Sequence, residues 1–313
     1  MLMKAIEAYL EVRRLSGCKL RDAERLLRRY ADFAAARGDT HVRVRTAVDW
    51  SLEAGPVGQR RIRLRQVVLF ARYARAEDPH HQVPHLGLLA RVPHSFQPYI
   101  YTPEEARRLV VEAGRLGPPG SLRPHTYRTL FALLFATGLR ISEAMSLRFD
   151  DVRNEGLLIR QTKFRKTRLV PLHETARAGL ARYIALRHAL GGTTDYVFIS
   201  STGGPLEHSF VHRTFRALLK AAKIGGAPGQ PQPRIHDMRH TFAVRALEAS
   251  PDGRDRIAQH MLALTTYLGH TSVVDTYWYL RATPPLMRDI ADACECLLAN
   301  VTTVSARAAS PMV

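Results

Sequence analysis

Apolar residues recur at helical intervals over the first 80 positions of the chain. Ile6, Tyr9, Leu10 and Val12 form one stripe, and Leu20, Ala23, Leu26, Leu27 and Tyr30 form a second. A third segment runs near Val44 to Leu52 and stops at Gly55-Pro56. A fourth, roughly Val57 to Ala76, sets Leu64, Val68 and Ala71 on one side and Arg61, Arg65 and Arg72 on another. The pattern predicts a small helical domain over 1–83. It then breaks: residues 84–101 belong to a proline-stiffened linker, within a stretch that holds Pro79, Pro84, Pro93 and Pro98 and the adjacent histidines His80 and His81. Regular structure resumes at Thr102-Pro103-Glu104-Glu105. Thr102 can cap a helix, Pro103 suits its first position, and Glu105 completes a capping box. A second domain over 102–299 is expected to be mostly helical, with one hairpin pairing Leu157–Gln161 with Arg168–Leu172. Residues 300–313, rich in Ser, Thr, Ala and Pro, read as a loose tail. The expected class is therefore mainly α with a small antiparallel β-sheet.

Charge narrows the function. The 313 residues carry 46 Lys and Arg against 28 Asp and Glu, a formal net charge of +18. Residues 1–100 alone hold 18 basic and 10 acidic residues, so both halves share the excess. That balance favours a polyanion, because each phosphate contact releases condensed counterions and steers association. Four arginines crowd into Arg60 to Arg65 and repel one another, which points to a phosphate partner rather than an idle solvated face. Cys18, Cys294 and Cys296 make no disulfide framework and match no four-ligand zinc spacing, as suits a reduced cytoplasm. Lys4, Glu7 and Glu11 interrupt the start, so no signal peptide is expected there. The longest apolar stretch, Thr129 to Leu139, is too short to span a bilayer.

Four separated segments carry candidate chemistry. In Thr137-Gly-Leu-Arg140-Ile-Ser-Glu143, an arginine at a helix start can aim its guanidinium fork at a phosphate. The second segment, Gln161-Thr-Lys163-Phe-Arg-Lys166-Thr-Arg168, reads as a tight turn bearing four cations that suits a groove, and a lysine there can donate a proton. In His236-Asp-Met-Arg239-His240, His236 and Arg239 share a helix face, pairing a proton-transfer group with a phosphate clamp. His236 and His240 also have metal-ligand spacing, but Asp237 stands where a zinc-protease pattern needs Glu and no third ligand follows, so no metal is expected. The fourth segment is Leu268-Gly-His270-Thr-Ser-Val-Val-Asp-Thr-Tyr277-Trp278-Tyr279. Here Val273 lies under Tyr277 and Val274 under Trp278, which leaves Tyr279 on another side, free to reach a site.

The order Arg, Lys, His-x-x-Arg, Gly-His, Tyr resembles the tyrosine recombinases, with high specificity over about 102–290 and only by size, charge and helicity over 1–80. Carried over residue by residue, the resemblance makes Arg140 and Arg239 phosphate-clamping arginines, Lys163 the hairpin lysine, His236 the partner of Arg239, His270 the Leu-Gly-His histidine and Tyr279 the nucleophile. Glu143 and Asp151 match supporting positions. The stretch from Arg239 to His270 is longer than is usual in the family. The resemblance implies attack of the Tyr279 hydroxyl on a DNA phosphodiester, giving a 3′-phosphotyrosyl link and a free 5′-hydroxyl. One phosphoester replaces another, so no cofactor is required: neither ATP, a redox group nor a divalent ion. The implied partners are double-stranded DNA with inverted-repeat sites, further copies of the chain from dimer to tetramer, and helper recombination proteins, without a membrane and on the nucleoid. A SAM-like core-binding role for 1–83 belongs to the same implication. The last helix, about Pro285 to Ala299, packs either on a neighbouring protomer or on its own domain. Two alternatives stay open: a type IB topoisomerase, which relaxes DNA without exchanging partners, and a DNA-binding regulator that has lost catalysis.

Overall fold

A computed structural model describes residues 1–17, 20–90, 98–160, 167–190, 194–225, 231–249, 254–269 and 276, without the side chains of 254–258. Of the expected site residues, Lys163, His270 and Tyr279 lie outside these, as do Tyr277, Trp278, the three cysteines and the segment 285–299. The chain divides into two compact units, Met1–Phe96 and Gln97–Val313.

The first unit holds four helices, α1 (Leu2–Leu15), α2 (Arg21–Ala35), α3 (Val44–Leu52) and α4 (Val57–Glu77). Their apolar stripes meet in one core, where Tyr9 packs edge-on against Phe70 at 5.7 Å and Tyr30 against Trp50 at 5.4 Å. One residue of the expected first stripe is misplaced: Val12 is 47% exposed. It lies two positions beyond Leu10, about 200° round the helix, while Ile6, Tyr9 and Leu10 keep the buried face.

The arginine crowd of α4 is also corrected. Arg60 Nε donates to the Ala54 carbonyl (2.7 Å), and Arg63 donates to Trp50 O (3.1 Å) with its guanidinium over the Trp50 ring. Arg61 Nη1 points at the carbonyls of Leu86 and Leu89 (3.2 Å each) and Ala90 (3.4 Å). Three of the four arginines are thus bonded inside the unit, to carbonyl oxygens near the end of α3 and over 86–90. Arg65 and Arg72 stay exposed.

The second unit is built round α6 (Leu122–Thr137), whose Leu130, Phe131 and Leu134 are buried. Against it pack α5 (Pro103–Ala113), α8 (Glu174–Ala189) and α10 (His236–Glu248). The expected capping box opens α5: Thr102 Oγ1 accepts from Glu105 N (3.2 Å), and Glu105 Oε2 accepts from Thr102 N (3.0 Å). The short α7 (Ile141–Met145) follows α6, α9 (His208–Ala221) packs on α5, and α11 (Arg254–Leu268) packs on α10. The expected hairpin is β2 (Gly156–Ile159) against β3 (Arg168–Val170), with Leu157 opposite Val170 and Ile159 opposite Arg168. A third strand, β1 (Val152–Arg153), pairs antiparallel with β2; two residues are too short to leave an alternation in the sequence. Among the described residues no helix is long and apolar enough to cross a membrane.

Candidate active site

The site is assembled where α6 ends, α7 and α10 begin, and α11 stops. Gly138 ends α6 in the left-handed conformation, φ 59°. A Cβ there would lie 2.5 Å from the Phe242 ring, so only glycine lets α6 approach α10 this closely. Gly138→Ala therefore meets two penalties, about 1–2 kcal/mol for the backbone and a further ~1–3 kcal/mol for overpacking. Gly203, at φ 82° with open space around it, isolates the first penalty. Thermal unfolding is expected to show Gly203→Ala losing only the backbone share and Gly138→Ala clearly more; equal losses would mean that Phe242 yields freely.

Two residues on, Arg140 precedes α7. Glu143, buried at 7% exposure, reaches back to accept from the Arg140 amide (3.0 Å) and from Arg140 Nη1 (2.8 Å). The same carboxylate takes two bonds from Arg168 of β3, at 3.1 and 2.8 Å. Burial alone would raise the Glu143 carboxyl, but hydrogen bonds and charge from Arg168, then Arg140, hold it down at about 2. It is therefore an ionised brace between two cations. Arg168 corrects the expectation for the basic turn: it is a paired strand residue with a 10% exposed side chain, not one of four cations offered to a groove. Arg168 and Val170 flank exposed Leu169, so strand alternation turns Arg168 inward.

His236 opens α10 and Arg239 follows one turn later. Arg239 is 2% exposed and bridges two distant chain segments, donating to Gly138 O (2.8 Å) and Leu268 O (2.6 Å). His236 keeps an exposed edge, but the protein crowds its other sides. That burial, with the nearby charges of Arg239, Arg234 and Arg140, pushes its pKa below the ordinary histidine value, against the pull of Asp237. A neutral imidazole able to accept a proton results. Its ring meets His240 edge-on at 4.6 Å. Asp237, fully buried, is held by the Arg234 amide and guanidinium, at 2.8 Å each for N and Nη2. Thr241 donates to the Asp237 carbonyl (2.8 Å) and accepts from Tyr101 N (3.0 Å), which ties the entry of the unit to α10.

The C-terminus of α11 completes the arrangement. Three successive carbonyls at its end each receive an arginine: Tyr267 O from Arg168 Nε (2.8 Å), Leu268 O from Arg239, and Gly269 O from Arg140 Nη2 (3.5 Å). Gly269 itself is left-handed at φ 68°, with a Cβ position 3.0 Å from the Arg168 guanidinium. The next residue in sequence is His270. Tyr267 stacks on Phe242 at 5.4 Å, and burial pushes its hydroxyl up to about 12, so it is a packing residue rather than a nucleophile. Further along, the fully buried Thr276 hydrogen-bonds Thr265 of α11 at 2.9 Å. Asp151, the other supporting residue, accepts from Arg148 N (3.0 Å) and from Arg160 Nε, and so anchors the base of the hairpin.

Of the six expected site residues, the fold brings Arg140, His236 and Arg239 to one place. Sequence reasoning missed Arg168 and the three carbonyls; the inward register of a lone arginine on an apolar strand face was the available signal.

Comparison with known proteins gives the family. Residues 101–284 match the model of the Phage integrase family. An integrase/recombinase of Sinorhizobium fredii is 38% identical over 296 residues, covering 91% of this chain and 94% of that protein. Tyrosine recombinase XerD of Corynebacterium glutamicum is 34% identical over 166 residues, 52% of this chain and 50% of that one. In three dimensions, a lambda integrase (75–356) dimer bound to a COC′ core site superposes with a TM-score of 0.63 at 19% identity, covering 89% of this chain and 94% of that chain. The chain belongs to the phage integrase family of tyrosine recombinases.

Proposed function

We propose that the protein is a site-specific recombinase of a mobile element that cuts and rejoins DNA through a 3′-phosphotyrosyl intermediate. One observation carries the reading: Arg140 and Arg239, remote in sequence, are both fixed on the carbonyl end of α11 beside His236, one residue before His270. Tyr279 attacks the scissile phosphorus and the 5′-oxygen leaves, so that one phosphoester is exchanged for another. Arg140, whose side chain is 25% exposed, offers the accessible fork. Arg239 adds charge from the floor of the site, where low dielectric makes a fixed cation count for more. His270 joins them on the non-bridging oxygens, His236 assists proton transfer, and Lys163 protonates the leaving oxygen. The partners are inverted-repeat DNA, further copies of the chain on that DNA and helper proteins, in the cytoplasm. The mobile-element assignment rests on a likeness in fold to the Tn1549 transposon integrase, TM-score 0.62 at 19% identity.

The test is a duplex nicked just beyond the scissile position, from which the cleaved end diffuses away. The wild-type protein is expected to leave a DNA-linked band on a denaturing gel; binding without any such band would identify a pure DNA-binding regulator. A supercoiled plasmid relaxed without exchange between two sites would favour the topoisomerase reading instead.

The first unit binds phosphates through the arginines its own fold leaves exposed. Replacing Arg65 and Arg72 together by alanine is expected to flatten the log–log salt dependence of binding by about 0.9 for each phosphate that is no longer neutralised. An unchanged slope would place the DNA on another face of the unit.

A further inference from the structure

The first unit carries a cluster that the cleavage chemistry does not use. His41 stands between α2 and α3, and Asp78 and His80 follow α4. One ligand atom from each lies within 4.8 Å of the others, the one such group of three among the described residues. Asp78 is the centre: its Oδ2 is 2.9 Å from His41 Nε2, and its Oδ1 is 2.8 Å from His80 Nδ1. The two segments are stitched together by bonds of their own. Val42 N donates to His81 Nδ1 (3.0 Å), Gln82 N to Val42 O (2.9 Å) and Val44 N to the Gln82 side chain (2.9 Å). His41 Nδ1 rests 2.9 Å from the Thr40 hydroxyl, which sets the ring with Nε2 towards Asp78. His81 packs on His41 at 5.0 Å, but its Nδ1 is taken by the Val42 amide, so it supports rather than ligates.

We propose that His41, Asp78 and His80 bind a divalent transition-metal ion of the zinc class. Two imidazole nitrogens and one carboxylate oxygen form a borderline donor set, suited to Zn²⁺ or Co²⁺ and poorly suited to Mg²⁺ or Ca²⁺. The metal takes the place of the protons now shared between Asp78 and the two rings. Each ring then presents its lone pair at that nitrogen and carries its proton on the other; His41 Nδ1–H donates to Thr40 Oγ1, as ligating histidines commonly do to an outer partner. Tetrahedral ligands at about 2.0–2.2 Å from zinc stand slightly further apart than hydrogen-bonded atoms do. His80, with a 79% exposed side chain, has room to give that fraction of an ångström. Water fills the open position. Because the ligands come from both sides of α3 and α4, the ion clips the segment after α2 to the end of α4.

The probe is zinc chloride, titrated calorimetrically into untagged, chelator-stripped full-length protein near neutral pH. A single saturable equivalent is expected. It should weaken at least about tenfold in His80→Gln, whose exposed side chain contributes nothing to the core, and likewise in His41→Gln. A His208→Ala/His212→Ala variant removes a stacked histidine pair on α9 (6.3 Å between rings), away from the proposed ligands, and should bind zinc like the wild type. Zinc should also raise the unfolding temperature of the wild type and not of His80→Gln, since a ligand bound only by the folded state stabilises it. Absence of saturable binding, binding unchanged in both His41→Gln and His80→Gln, or loss only in the α9 variant would overturn the assignment.

Discussion

Tyr279→Phe is expected to bind its DNA site with wild-type affinity and to form no covalent complex at all. A phenylalanine ring keeps the shape and loses only the hydroxyl, and without it no phosphoester can form, so the loss is complete rather than graded. The assignment follows from position. Tyr279 lies nine residues beyond His270 and three beyond Thr276. Thr276 is fully buried on α11, the helix whose end Arg140, Arg168 and Arg239 hold, so the chain leading to Tyr279 is tethered to the same element as the arginines. Tyr277 is the rival, two positions earlier, and the helical period of the sequence is the reason it is not chosen: it predicts Tyr277 over Val273. Tyr277→Phe should still give the covalent band. A band from Tyr279→Phe together with none from Tyr277→Phe would reverse the two roles.

Lys163→Ala should slow cleavage by a factor on the order of 10² to 10⁴, the usual contribution of a general acid. The hairpin base that carries this lysine is fixed at both ends, by Asp151 on Arg160 and by Glu143 on Arg168. If Lys163 protonates the leaving 5′-oxygen, a substrate with sulfur at that bridging position removes the need, because a thiolate leaves unaided. Lys163→Ala should then regain most of the wild-type rate. Arg140→Ala should stay slow on both substrates, since phosphate charge develops in either case. Lys166→Ala should lose only some binding. Single-turnover cleavage of the paired substrates decides the matter: sulfur rescue of Lys166→Ala, with Lys163→Ala left slow, would shift the reading of the turn by three residues.

The helices of the first unit, the capping box at Thr102 and the β2–β3 pairing were legible because each rests on local periodicity or on adjacent capping residues. Arg140, His236 and Arg239, which the fold brings to one place, stood at characteristic spacings near helix ends. What escaped was non-local. Nothing near Arg61 in sequence says that it will meet the carbonyls of Leu86 to Ala90, and the same holds for Arg168 and its carboxylate 25 positions away. An arginine reads as surface charge until the fold supplies oxygens for it, and so Arg61 looked like part of a phosphate face when it is bonded internally, while Arg65 and Arg72 of the same stripe stay exposed.

The three arginines on the last carbonyls of α11 bear on how the family's architecture accommodates variation in length. The end of that helix is held from outside, by side chains rooted just before α7, in β3 and in α10, as well as by the path of the chain that leads into it. Residues gained or lost between α10 and α11 can therefore be absorbed upstream without carrying the histidine that follows out of register. The unusual span between Arg239 and His270 is then a permitted ornament of this chain, since the docking point stays put whatever the approach.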